Sequence, residues 1–271
     1  MKRVKKWTLL LIAIFMVAAL GLTGCSKQAS KNTTSNSAST LKYQGVTLQV
    51  YSGAGLNKAM DDIGQAFEQK YGAKVNISYA NCAQLLSQME INKQGDVFVG
   101  GSQSDGDTAK QKGFTDKYTA VAYHIPAIAV PKGNPAGITS LADMAKPGIK
   151  LILGDEQANA IGKKGAMIFS KANIKDAVDK NVVARAATVN DIVTKIGMKQ
   201  ADAGLVFEDN GFENKDIDVI SIPEDQNAID KIPVCVLGFS QNKEAAQALV
   251  DFMSSDEGKA IFTKHGFKVI Q

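Results

Sequence analysis

Residues 48–72 read LQVYSGAGLNKAMDDIGQAFEQKYG, and the change of period inside this stretch decides the fold. Leu48 and Val50 alternate as on a strand. Leu56, Met60, Ile63, Phe67 and Tyr71 then recur at steps of four, three, four and four, one apolar stripe of a helix that Gly72 closes. Val75, Ile77 and Tyr79 step by two, Leu85, Leu86 and Met89 lie on a second helix, and Asp96-Val97-Phe98-Val99 is a short apolar strand stopped by Gly100 and Gly101. Strand, helix, strand, helix, strand predicts a mostly parallel sheet, because parallel neighbours need a crossover of this length.

The alternation restarts after a long apolar segment, 121–130. Residues 149–153 read as strand, 160–169 as helix, 182–184 as strand, Ile192, Val193 and Ile196 as a helical stripe, and 203–207 as strand. A second extended segment, 232–239, leads to closing helices through Ala245, Leu249, Phe252, Ile261 and Phe262. About 230 residues suffice for two small α/β units. The expected architecture is therefore two lobes, residues 45–122 plus 236–271 forming lobe I and 123–235 forming lobe II. Two hinge strands join them, with crossings near Tyr123 and Pro233. Lobes on such a hinge close over a small solute.

At the amino end Lys2, Arg3, Lys5 and Lys6 precede an apolar run, 9–22, and then Thr23-Gly24-Cys25. The run is shorter than a spanning helix requires, and small residues lead into a cysteine, so 1–24 reads as a lipoprotein signal peptide. Cys25 is the expected lipidation site. Residues 25–44, rich in Ser, Thr, Asn and Lys, form a flexible tether that leaves the domain extracytoplasmic and lipid-anchored to the cell membrane. Removing four basic residues from 31 leaves 27 against 27 acidic ones, a formally neutral chain. No clustered basic face remains, and nucleic acid is excluded as a partner.

Residues 48–56, the loop 78–85, Asp96-Val97-Phe98, Gly154-Asp155, 201–207 (ADAGLVF) and the tail 254–267 (SSDEGKAIFTKHGF) together resemble the molybdate-binding proteins of ABC transporters, in order and over nearly the whole chain after the leader. The resemblance implies a type II periplasmic binding protein-like fold. It also implies a tetrahedral dianion, molybdate or tungstate, gripped by hydroxyls and backbone amides, with an ABC permease as membrane partner and a monomeric binding protein. Such a pocket needs few charged side chains, since a helix amino end offers unpaired N–H groups and about half a positive charge. Four strand-to-helix loops supply these ends: Ser52-Gly53-Ala54-Gly55, Asn81-Cys82-Ala83, Asn159-Ala160-Ile161 and Thr188-Val189-Asn190. The expected ligand-binding residues are Ser52, Ala54, Gly55, Asn81, Cys82, Ala160, Ile161, Thr188, Val189 and Phe207. Each loop alone also reads as an ordinary helix cap or turn.

Three positions depart from the family. Gly55 and Cys82 stand where serine ligands are usual, and Phe207 where a tyrosine is usual. Cys82 has three readings: a neutral thiol lining an oxyanion site, a soft ligand for a metal ion or small organic anion, or half of a disulfide with Cys235. A helix amino end is expected to lower its pKa. His124 and His265 lack metal-ligand spacing and read as structural, while Glu208 and Asp209 follow the last lobe II strand and read as a solvated strand end, with reach into the cleft, where a carboxylate disfavours an anion, as the alternative. No zinc, phosphate-loop or serine-elbow motif is present, so neither metal nor cofactor is expected. A Cys82 nucleophile with His124 as base and a structural or sensory lipoprotein rank below a non-enzymatic binding protein.

Overall fold

The computed structural model describes residues 41–212 and 214–270. The leader, Cys25 and most of the tether lie outside the described residues. The first half of the chain builds β1 (Thr47–Gly53), a 3₁₀ turn (Ala54–Leu56), α1 (Asn57–Tyr71), β2 (Lys74–Ala80), α2 (Cys82–Asn92), β3 (Val97–Val99), α3 (Gln103–Gln111) and β4 (Thr119–His124). The chain continues as β5 (Pro126–Pro131), α4 (Leu141–Met144), β6 (Leu151–Gly154), α5 (Ala160–Lys171), α6 (Lys175–Asn181), β7 (Val182–Ala186), α7 (Val189–Gly197) and β8 (Ala203–Phe207). It ends with a second 3₁₀ turn (Glu208–Gly211), β9 (Ile217–Ser221), β10 (Asp230–Val236), α8 (Lys243–Ser254) and α9 (Asp256–Lys264).

Among the described residues the strands form two five-stranded sheets with one wiring, β2-β1-β3-β10-β4 and β7-β6-β8-β5-β9. In the first, β1 is parallel to β2 and β3, while β10 is antiparallel to both β3 and β4. Four strands therefore point one way and β10 the other. The second sheet repeats this with β5 reversed between β8 and β9. Each sheet has its own core. Leu48, Val50, Met60, Ile63 and Phe67 pack with Leu249 and Phe252 in lobe I, and Ile128, Leu151, Ile161, Phe169, Ile192 and Leu205 pack together in lobe II.

The segment 232–239 does not cross between the lobes. Pro233 pairs with Ala120 inside the first sheet, at a bulge that tolerates its missing N–H, and its carbonyl accepts from Gly100. The return crossing is the stretch 222–229. A strand central in a sheet and buried on both faces has the same continuous apolar sequence as a crossing segment, so pattern alone does not separate them. The forward crossing falls at Ile125, between β4 and β5.

Close backbone approach holds α5 against β6. A Cβ on Gly162 would overlap the Asp155 carbonyl oxygen. The Gly162→Ala substitution is therefore expected to destabilise the protein by about 1–3 kcal/mol, as overpacking does, which a shifted denaturant midpoint measures.

Candidate functional site

Three long helices start at the cleft between the lobes. Each has a side-chain cap: Asn81 accepts from the Gln84 amide, Asn159 from the Gly162 amide at 2.8 Å, and Thr188 from the Asp191 amide at 3.2 Å. A cap of this kind serves the third helical amide and leaves the first two without an intrahelical partner. Those are the amides of Cys82 and Ala83, Ala160 and Ile161, and Val189 and Asn190. The 3₁₀ turn after β1 joins them from lobe I.

These starts surround a cavity of about 40 Å³. Nine residues singled out from the sequence line it: Ala54, Gly55, Asn81, Cys82, Ala160, Ile161, Thr188, Val189 and Phe207. Ser52 does not. It is fully buried on β1, and by strand alternation it shares the face of Leu48 and Val50, which pack into the lobe I core. The lining also includes Gly53, Leu56, Ala80, Gly101, Asn159 and His124. Asn159 was legible as a cap. Gly101 lies between β3 and the start of α3, in the glycine pair that ends the strand, and His124 is the last residue of β4, where no helix begins.

The lobes are in contact around this cavity. Asn190 Nδ2 donates to the Ala54 carbonyl at 2.7 Å, Lys164 on α5 pairs with Asp230 on β10 at 2.7 Å, and Lys163 lies 3.7 Å from Asp105. A Cβ on Gly55 would sit 2.7 Å from Val189 Cγ1. Glycine there is what lets the two lobes close.

Cys82 is buried and free, as is Cys235, so the disulfide reading is set aside. The Gly101 amide donates to Cys82 Sγ at 3.3 Å and to Asp105 Oδ2 at 3.1 Å. Burial, and then the Asp105 carboxylate, push the thiol pKa well above its ordinary value. This overturns the expectation that the helix start lowers it: desolvation of the thiolate outweighs a partial dipole charge.

His124 is only 2% exposed and stacks on Phe207, with ring centroids 3.2 Å apart. Its Nδ1 lies 2.6 Å from the Gly101 carbonyl oxygen, which only accepts, so Nδ1 carries the hydrogen. Its Nε2 is buried without a hydrogen-bond partner among the described residues and stands 3.7 Å from Asp209 Oδ1. An unsatisfied buried polar atom of this kind costs about 1–3 kcal/mol. Burial lowers the His124 pKa to about 4 and raises that of Asp209 to about 8. Asp209 lines a second, wider recess of about 290 Å³, shared with Gly55, Lys58, Asn190 and His265. His265 itself pairs with Asp62 at 2.9 Å.

Two mixed sheets of identical wiring, joined by two crossings and closed over a cavity of helix starts, define a two-lobed binding protein of the type II periplasmic fold. The family of bacterial extracellular solute-binding proteins matches residues 48–268, and the chain belongs to it. A Haemophilus influenzae protein is 28% identical over 229 residues, covering 84% of this chain and 93% of that one. The molybdate-binding protein ModA of Mycobacterium tuberculosis is 25% identical over 226 residues, covering 82% and 84%. Among solved structures, the sulfate-binding protein SubI of Mycobacterium tuberculosis superposes with a TM-score of 0.77 at 17% identity, covering 83% of this chain and 88% of its own. That likeness is one of fold.

The buried, neutral thiol predicts slow chemistry. With iodoacetamide at pH 7.5, Cys82 and Cys235 are expected to be labelled at least about tenfold more slowly in the native protein than in denaturant, as read by peptide mapping.

Proposed function

We propose that this solute-binding protein captures a small tetrahedral oxyanion, molybdate or tungstate first, in the closed cavity between its lobes. The observation that carries this reading is that the first residues of α2, α5 and α7 meet at one cavity whose lining, among the described residues, has no Asp, Glu, Lys or Arg. Backbone amides and helix dipoles favour a buried negative charge and do not depend on the missing serine and tyrosine hydroxyls. Asn81, Asn159 and Thr188 spend their side-chain oxygens on caps, so they act by aiming amides. The molybdate-binding relative supports the first choice of ligand, and the fold shared with a sulfate-binding protein keeps other tetrahedral dianions within reach of the same chemistry.

A soft metal ion or small organic anion at Cys82 is the second reading. The raised thiol pKa disfavours the thiolate that a metal requires, and among the described residues no three His, Cys, Asp or Glu gather as a ligand set. A catalytic role for Cys82 has the same difficulty, and His124 Nδ1 is engaged with Gly101. The protein acts in this reading as a monomeric carrier, tethered by a lipid on Cys25, that delivers its anion to an ABC permease in the closed form. Lobe closure over the guest is the step that licenses delivery.

Binding is expected to stabilise the protein by linkage. At a hundredfold excess over Kd, molybdate or tungstate should contribute about 2.7 kcal/mol and raise Tm by roughly 5–10 °C. A shift with divalent transition metals and none with molybdate, tungstate, sulfate or phosphate would overturn the reading. Cys82→Ser restores a hydroxyl and should keep or raise affinity. Gly55→Val, pressing on Val189, should weaken it about tenfold or more by holding the lobes apart, as measured by calorimetric titration of both variants.

A further inference from the structure

The anion reading leaves one group on the cavity wall unused. His124 and Cys82 are the titratable side chains lining it, and the thiol is held neutral, so His124 alone can bring a positive charge to a guest. The ring separates two spaces. On one side it borders the closed cavity; its Nε2 faces Asp209 Oδ1 at 3.7 Å, and Asp209 lines the wider recess.

Resting on the anion reading, we propose that His124 and Asp209 hold one proton between them, and that binding of an oxyanion draws it from Asp209 to His124 Nε2 as the two side chains close the 3.7 Å that separates them. His124 thereby becomes an imidazolium wall of the cavity.

The proton count is the same before and after. With the proton on the Asp209 carboxyl, both groups are neutral; with it on Nε2, the pair is imidazolium and carboxylate, and no proton enters or leaves. In the empty cavity burial favours the neutral arrangement. Burial raises the Asp209 pKa to about 8, so the carboxyl holds its proton at neutral pH, and burial depresses the His124 pKa. A dianion against the ring reverses the preference, because an adjacent opposite charge favours the charged imidazole. Phe207 stacked on the ring and the Gly101 carbonyl on Nδ1 hold its orientation throughout. The stranded Nε2, which has no hydrogen-bond partner among the described residues, then acquires a hydrogen directed at a carboxylate.

The surrounding charges permit the shift. Asp230 on β10 favours the imidazolium, and Lys164 on α5, paired with Asp230, opposes it. Glu208, next to Asp209, holds the Asp209 carboxyl up. Lys268 lies 3.7 Å from Glu208 and partly offsets it. Beyond Gly101 stand Asp105, Lys163 and the neutral Cys82, a balanced set. Below pH 8 the pair keeps its proton. Above that, Asp209 loses it to solvent through the recess, and the site then presents a carboxylate and a neutral ring to an incoming anion.

The test is tungstate and sulfate titration of the full-length protein from pH 6.5 to 9.5, where both stay fully deprotonated. Affinity should be flat to about pH 7.5 and fall about tenfold per pH unit above pH 8, the slope of one linked proton. Calorimetry in buffers of different ionisation enthalpy should find no net proton uptake at pH 6.5 and about one proton at pH 9. Asp209→Asn should flatten the pH profile. His124→Gln should bind less tightly than the native protein at pH 6.5. Nitrogen chemical shifts of the His124 ring should report an unprotonated Nε2 without anion and a protonated one with it. Binding with flat affinity and no proton uptake at pH 9 overturns this proposal alone. No oxyanion binding at any pH overturns it together with the anion reading.

Discussion

A helix cannot satisfy its own first amides, and that constraint organises the site. In this protein three helix starts have Asn or Thr caps that serve the third amide, and Cys82, Ala160, Ile161 and Val189 from their first turns line one cavity. Buried N–H groups must find an acceptor, and an anion supplies several at once. Because α2 belongs to lobe I and α5 and α7 to lobe II, the full set of donors exists only when the lobes are together. In the proposed reading, ligand affinity and lobe closure become one free-energy term.

The sheets make closure possible without remodelling either core. Each lobe has its own sheet of the same wiring and its own apolar cluster, and the chain passes between them at Ile125 and in the stretch 222–229. Both crossings lie beside the reversed strands, β5 and β10. Small residues meet at the closing surface: Gly55 against Val189, and Gly101 against Ala160. The cross-lobe pair Lys164–Asp230 is largely buried, at 17% and 7% side-chain exposure. Desolvating two charges offsets much of their attraction, so its role is better read as registration of α5 on β10 than as net stabilisation.

Burial also sets the chemistry of the polar groups. Cys82 at a helix start and Asp209 at a strand end are both shifted upward because desolvation exceeds every compensating contact. His124, one of those groups, is shifted the opposite way for the same reason. The result is a cleft that is uncharged at neutral pH although it contains a thiol, an imidazole and a nearby carboxyl. In the proposed reading, such a cleft does not repel an entering anion and retains one group that can become positive.

Local periodicity, read along the chain, determined the order of strands and helices, the two-unit organisation and the strand-to-helix loops, because those depend on neighbours three, four or two residues away. The loops around Gly55, Asn81, Asn159 and Thr188 were legible for that reason. Tertiary structure alone decided three things. Residues 232–236 belong to an interior strand of the first sheet rather than to a crossing, since a strand buried on both faces and a linker share one apolar pattern. Ser52 packs into the core, since strand alternation assigns it to a face that only the assembled sheet identifies as inward. His124 joined the cavity through contacts with Gly101, Phe207 and Asp209, which are 23, 83 and 85 residues away in sequence; no local pattern encodes a meeting of that range, and the ionisation of each partner follows from the burial that the meeting creates.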